Sequence, residues 1–203
     1  MDNNIKEIIR KSYNKNANLR SSIIPDWKRN EINKFLSQIN NDKLKLLDLG
    51  AGSGTFAEYF TKKGLDVYCI DISKSMIDIC LAKELKAEVM DFYNLDFEPE
   101  QFDLIWSMNT LLHVPKKDIH IVLDEVQRVL KKNGIFYLGL YGGVSTEGIY
   151  EEDIYEPKRF FAFYLRDELL DIVKSHFKVI KCDETILDGD RNFLSMILTS
   201  KEI

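Results

Sequence analysis

Ile32, Phe35, Leu36 and Ile39 fall at i, i+3, i+4 and i+7, the apolar stripe of an amphipathic helix. Ile5, Ile8 and Ile9 predict an earlier helix, and a stretch rich in Asn, Arg and Ser, ending in Ile24-Pro25-Asp26-Trp27, separates the two. From residue 44 the period shortens. Residues 44–49 (LKLLDL), 67–70 (VYCI), 87–90, 102–107 (FDLIWS) and 135–140 (IFYLGL) are short apolar runs of buried-strand type. Helical stretches separate most of them. Residues 55–63 form one, with Gly64 as its stop; a second is capped by Ser73; the third carries the stripe Ile119, Val122, Leu123, Val126, Val129 and Leu130. Lys131, Lys132, Asn133 and Gly134 then read as a helix C-cap with cations at the negative end of the dipole. After a loop, residues 166–177 read as a helix, and residues 177–182 and 193–199 as two strands with no helix between them.

Strands alternating with helices imply an α/β fold: a doubly wound, mostly parallel sheet, with the last two strands as an antiparallel hairpin at one edge. In such sheets ligands sit beyond the carboxyl ends of the strands. A length of 203 residues corresponds to a single domain, 1–203. Its net charge of −5 disfavours a dedicated nucleic-acid binder. Cys69, Cys80 and Cys182 form no CxxC or zinc-like cluster, and their apolar surroundings read as buried free thiols, so no metal is expected. With no apolar run long enough for a membrane span and no signal-peptide core, the expectation is a cytoplasmic, soluble chain that engages no membrane.

The first strand runs into Asp48-Leu49-Gly50-Ala51-Gly52-Ser53-Gly54-Thr55. Alternate glycines permit a tight turn and close approach of a ligand to the backbone. The dinucleotide fingerprint GxGxxG is not met, because position 55 is Thr and the third glycine is Gly54. Two further acids end strands. Asp71 can accept both hydroxyls of a ribose. Asp91 can accept from an exocyclic adenine amine, with Ile72 and Phe92 able to sandwich the ring.

The segments LLDLGAGSGTF (46–56), VYCIDIS (67–73), AEVMDF (87–92), FDLIWSMNTLLHVP (102–115) and VLKKNGIFYLGL (129–140) resemble, in order and spacing, the class I S-adenosylmethionine-dependent methyltransferases. They cover about half the chain. The resemblance implies a Rossmann-like seven-stranded sheet with residues 193–199 as an inserted antiparallel strand, and S-adenosyl-L-methionine as cofactor. It implies that Gly50 and Gly52, with Ala51 between them, meet the methionine part and the ribose. Asp71 would hold the ribose hydroxyls, and Asp91 the adenine amine, with Ile72, Met76 and Phe92 around the ring. Ser107 and Met108 would border the sulfonium end, and Asp48 would support the loop or meet the methionine ammonium through water.

The acceptor is less constrained. Trp106-Ser107-Met108-Asn109 lacks the prolines associated with methylation of base amines, and no Pro-Cys pair exists for cytosine C5 chemistry. Leu112-His113-Val114-Pro115 resembles the small-molecule branch, so a small-molecule acceptor methylated on O or N is expected. His113 is the candidate general base, or else a histidine that holds its loop in shape. The N-terminal segment, 1–40, is expected to act as a helical lid, and 141–165 as a loop capping the acceptor site. Tyr13, Arg20, Trp27, Tyr141 and Arg159 join His113 as candidates for the acceptor pocket. Acidic residues Glu147, Glu151, Glu152, Asp153 and Glu156 raise the option of a cationic acceptor or of a solvated loop. Protein methylation, NAD-dependent oxidoreduction and non-catalytic cofactor binding stand as alternatives. Oligomeric state is not legible.

Overall fold

The computed structural model describes residues 3–19, 23–39, 44–187 and 192–201. Two helices, α1 (Asn3–Lys15) and α2 (Asp26–Leu36), precede β1 (Lys45–Leu49). Then follow α3 (Thr55–Lys62), β2 (Asp66–Asp71), α4 (Lys74–Ala82), β3 (Lys86–Val89), β4 (Phe102–Met108), α5 (Ile119–Val129) and β5 (Leu130–Gly142). A small hairpin, β6 (Thr146–Ile149) and β7 (Phe160–Phe163), leads to α6 (Arg166–His176), β8 (Phe177–Ile186) and β9 (Asn192–Ser200).

The main sheet has the order β3-β2-β1-β4-β5-β9-β8. The strands from β3 to β5 pair in parallel, and β9 pairs antiparallel with both β5 and β8. The expected seven-stranded, mostly parallel sheet with an inserted antiparallel strand is therefore what forms. Both faces are covered, so strand residues of either parity are apolar. Leu47, Leu49, Ile105, Phe136 and Leu138 face the side packed by α5 and α6. Leu46, Leu104, Trp106 and Tyr137 face the side packed by Ile32 and Phe35 of α2 and Phe60 of α3. Here Trp106 stacks on Tyr137 with ring centroids 4.0 Å apart. The two helices before the sheet thus part company: α2 is core, whereas Ile9 and Tyr13 of α1 lie over the carboxyl edge.

The structure corrects the sequence reading in three places. Residues 131–134 are not a helix C-cap. The chain turns directly from α5 into β5, Leu130 pairs with Phe102, and a register shift follows between Phe102 and Leu104. Lys131 pairs with Asp103 at 2.7 Å instead of serving helix carbonyls. The segment after β5 is not a plain loop, because Thr146–Ile149 and Phe160–Phe163 pair antiparallel. Its first strand is polar and exposed on both faces, which hides it from periodicity. Finally, Cys69 and Cys80 are buried free thiols, but Cys182 is only half-buried. Among the described residues, no helix is long and apolar enough to cross a membrane.

Helix α2 itself carries a buried charge. Glu31 is 3% exposed, accepts the Tyr137 hydroxyl at 2.9 Å and pairs with Lys34 at 2.7 Å. Tyr137→Phe leaves that carboxylate short of a donor and should cost about 1–3 kcal/mol. Thermal denaturation should show a melting temperature lower by several degrees.

Candidate active site

The turn after β1 is pinned to β2 and its end. Gly50 and Ala51 both donate their N–H to the Ile70 carbonyl at 2.9 Å, and Gly52 donates to Asp71 Oδ2 at 2.9 Å. Asp71 Oδ1 takes the Ser73 N–H at 2.9 Å. Gly50 has φ +75°, and a Cβ there would stand 2.2 Å from the Thr110 side chain. No other residue fits. Gly54, at φ +73°, precedes α3, and a Cβ on it would meet Leu85 at 2.6 Å. Ser73 caps α4 by accepting the Met76 N–H, and Asn14 of α1 reaches the same helix start, accepting from Ser73 Oγ at 2.8 Å and Ser75 N–H at 3.1 Å.

Two adjoining cavities lie at this edge and share Tyr13, Gly50, Gly52, Met108, Asn109 and His113. The narrower, of about 60 Å³, is lined also by Lys6, Ile9, Asp71, Ile72, Asp91 and Phe92. α1 closes it: Lys6 forms an ion pair with Asp91 and lies 4.3 Å over the Tyr93 ring. Asp91 also takes the Tyr93 N–H at 3.0 Å. The larger, of about 520 Å³, is lined also by Asp48, Ala51, Phe56, Tyr141, Arg159 and Phe161, with Ile23 and Lys28 among others.

Asp48 is 2% exposed. Its Oδ2 has no hydrogen-bond partner among the described residues. Burial, then the charge of Asp71, pushes its carboxyl up to about 8, against the Ala57 N–H, which works the other way. A buried carboxylate with an open lone pair in a cavity wall is a place for a cation. Asn109 shares the wall. It has φ +57°, its N–H is held by the Gly139 carbonyl at 2.7 Å, and its buried Oδ1 has no partner among the described residues.

His113 is 4% exposed. Its Nδ1 lies 2.7 Å from the Phe160 carbonyl, which can only accept, so Nδ1 carries a proton. Nε2 lies 2.7 Å from Tyr13 Oη, which in the neutral imidazole makes Tyr13 the donor. Arg159 Nη1 donates to the same Tyr13 oxygen at 2.9 Å. The rest of the Arg159 fork is taken by Asp153, at 2.7 Å from Nε and 2.6 Å from Nη2. Burial pushes the Asp153 carboxyl up, but the hydrogen bonds and charge of Arg159 outweigh it and hold it below the usual range.

Of the residues singled out from sequence, Asp48, Gly50, Ala51, Gly52, Asp71, Ile72, Asp91, Phe92, Met108, Tyr13, His113, Tyr141 and Arg159 converge on the cavities. Met76 and Ser107 are fully buried and line neither. Trp27 packs instead on Phe193, at 4.9 Å, and on Tyr141. Arg20 lies outside the described residues. The five acids of the hairpin do not face the cavities: Glu147 takes the Lys116 N–H, Glu151 pairs with Lys158, Glu152 takes the Tyr150 hydroxyl, Asp153 holds Arg159, and Glu156 is exposed. Sequence reasoning missed Lys6, Ile9, Asn109 and Thr110. Asn109 had a signal, as an Asn directly after a strand is suited to positive φ.

A doubly wound sheet with a glycine turn and carboxylates at successive strand ends defines a nucleotide-cofactor-binding α/β protein. Comparison with known proteins narrows the class. A family described as "Methyltransferase domain" matches residues 47–138. An uncharacterised protein of Methanocaldococcus jannaschii is 31% identical over 147 residues, covering 69% of this chain and 67% of that protein. A ubiquinone biosynthesis O-methyltransferase of Pelagibacter ubique is 31% identical over 125 residues, covering 59% of this chain but 49% of that protein. The chain thus spans between about half and two thirds of these relatives. The crystal structure of Burkholderia thailandensis 1,6-didemethyltoxoflavin-N1-methyltransferase, with 1,6-didemethyltoxoflavin and S-adenosylhomocysteine bound, superposes with a TM-score of 0.75 at 16% identity, over 97% of this chain and 87% of that one. Residues 47–138 thus belong to the methyltransferase domain family, and the chain around them is similar to S-adenosylmethionine-dependent methyltransferases.

The raised Asp48 pKa has a stability consequence. The folded chain holds that proton more tightly than the unfolded chain, whose Asp titrates near 4. Stability from this group is fully present below about pH 4 and falls as pH rises toward 8. Asp48→Asn should therefore melt at a higher temperature than the parent at pH 8. The gain should vanish near pH 4, as melting curves across that range would show.

Proposed function

We propose that the chain transfers the methyl group of S-adenosylmethionine to an oxygen or nitrogen of a small molecule. The observation that carries this reading is the buried oxygen of Asp48 that has no partner among the described residues, in the wall of the larger cavity, which adjoins a carboxylate-lined cleft. That arrangement suits a ligand with a cationic end and a nucleoside end. In this reading Asp48 faces the cationic methionine end, Gly50 and Gly52 allow its close approach, and Asp71 accepts from the ribose hydroxyls. Asp91 accepts from the adenine amine, while Ile72 and Phe92 flank the ring. Met108 borders the reacting end, and the larger cavity takes the acceptor.

The cofactor supplies a methyl group on a sulfonium, open to in-line displacement. The protein's part is positioning, which can supply on the order of 7–11 kcal/mol. The narrow cleft of about 60 Å³ is smaller than the roughly 300–1,000 Å³ of ligand pockets. We read α1 as the lid: it lifts at Lys6 and Asn14 to admit the donor, and its return carries Tyr13 back over the reacting end. The β6–β7 hairpin caps the acceptor side through Arg159 and Phe161. The cationic groups of Arg159 and Lys28 in the wall disfavour cationic acceptors, and the aromatic surface suits planar ones that are neutral or weakly acidic.

Incubating the chain with isotopically methyl-labelled donor, a metabolite extract and separate basic peptides tests this reading. Label should enter small molecules and S-adenosylhomocysteine should accumulate only when they are present. Label in the peptides alone would move the function to protein methylation.

A further inference from the structure

We propose that Tyr13, not His113, takes the acceptor's proton, with Arg159 as its positioning residue, and that the acceptor is a planar compound methylated on a phenolic hydroxyl. This rests on the methyl-transfer reading above. The geometry is specific. His113 cannot present a free ring nitrogen to a ligand, because Nδ1–H is spent on the Phe160 carbonyl and Nε2 receives the Tyr13 hydroxyl. Tyr13 is one of the six residues that line both cavities, and its Oη is held from two sides, by His113 Nε2 at 2.7 Å and by Arg159 Nη1 at 2.9 Å.

Such an oxygen can pass its proton to His113 as it accepts another. The phenolate character that develops on it meets a guanidinium whose position is fixed by Asp153 and by the rings of Tyr155 at 4.2 Å and Phe161 at 5.1 Å. The balance is simple. The acceptor oxygen–hydrogen bond breaks, and its proton goes to Tyr13 Oη. The Tyr13 proton goes to His113 Nε2, which becomes imidazolium. The acceptor oxygen bonds the methyl carbon, whose bond to sulfur breaks, leaving neutral S-adenosylhomocysteine. Among the described residues, the titratable groups set against Tyr13 are His113 and Arg159, with Asp153 behind the latter; Tyr155 approaches edge-on at 6.2 Å.

The hydroxyl class follows from acidity. A phenol gives up its proton to a relay that ends on an imidazole far more readily than an aliphatic alcohol does. Phe56, Tyr141 and Phe161 in the cavity wall suit the flat ring that such a hydroxyl sits on.

The test compares transfer to 4-methylphenol, protonated at about pH 8.5, and 4-nitrophenol, already ionised there, in the parent chain and in Tyr13→Phe. Affinity for S-adenosylhomocysteine is measured alongside. Tyr13→Phe should lose about 100-fold on 4-methylphenol, within the usual range of general-base catalysis, and under fivefold on 4-nitrophenol, with inhibitor affinity unchanged. In the paired variant Asp153→Asn/Arg159→Gln, which leaves no lone buried charge, the rise of kcat/KM with pH on 4-methylphenol should move to higher pH. Equal losses on both phenols would make Tyr13 a packing residue and overturn its role. An unmoved pH profile would overturn that of Arg159. No transfer to either phenol by the parent, with S-adenosylhomocysteine bound, would overturn the acceptor class. Absence of S-adenosylhomocysteine binding would instead strike the methyl-transfer reading itself.

Discussion

The carboxyl edge of the sheet depends on the pinning of one short turn. Three successive N–H groups, of Gly50, Ala51 and Gly52, are committed to β2 and to the carboxylate at its end. The Gly50 backbone then lies so close to Thr110 that a single methyl group would collide. Because β1 and β4 are neighbours in the sheet, that contact ties the turn to the segment after β4, which carries Asn109 and His113. Asp48, one residue before the end of β1, is thereby held in the wall without a full set of partners. A buried carboxylate kept short of hydrogen bonds costs stability, and such strain is expected where a protein awaits a charged ligand.

Much of this was legible because strands buried on both faces leave a plain signature. Runs such as LKLLDL and FDLIWS have no alternation, and Gly, Asp or Ser mark their ends. The C-terminal antiparallel hairpin followed from two apolar runs with no helix between them, and the insertion of its last strand from the family resemblance. The turn glycines and Asp71 were found because their chemistry is local in sequence. Lys6 was not, since its partner Asp91 is distant in the chain and only the docking of α1 joins them. The β6–β7 hairpin escaped for a different reason. Its first strand is solvent-exposed, so nothing required an apolar alternation there.

Charge counting left the acceptor side open. Five acids in one segment read either as a surface for cations or as a solvated loop, and the fold engages four of them within the hairpin and its neighbours. Asp153 neutralises Arg159, and Arg159 in turn reaches Tyr13 across the cavity wall. What faces the cavity is aromatic surface, a hydrogen-bonded Tyr–His pair and the ionisable side chains of Lys28, Asp48 and Arg159. The composition of a loop is a poor guide to a pocket when its charges pair with one another.

The pinned turn with its carboxylates is most directly tested by calorimetric titration of S-adenosylhomocysteine into the parent and into Asp71→Ala, with NAD as comparison. Micromolar binding to the parent, at least tenfold weaker binding to Asp71→Ala and no heat from NAD are expected, because the variant removes both the ribose acceptor and the anchor of the Gly52 N–H. Equal affinity in parent and variant, or NAD binding in place of S-adenosylhomocysteine, would contradict the assignment of this edge to the methyl donor.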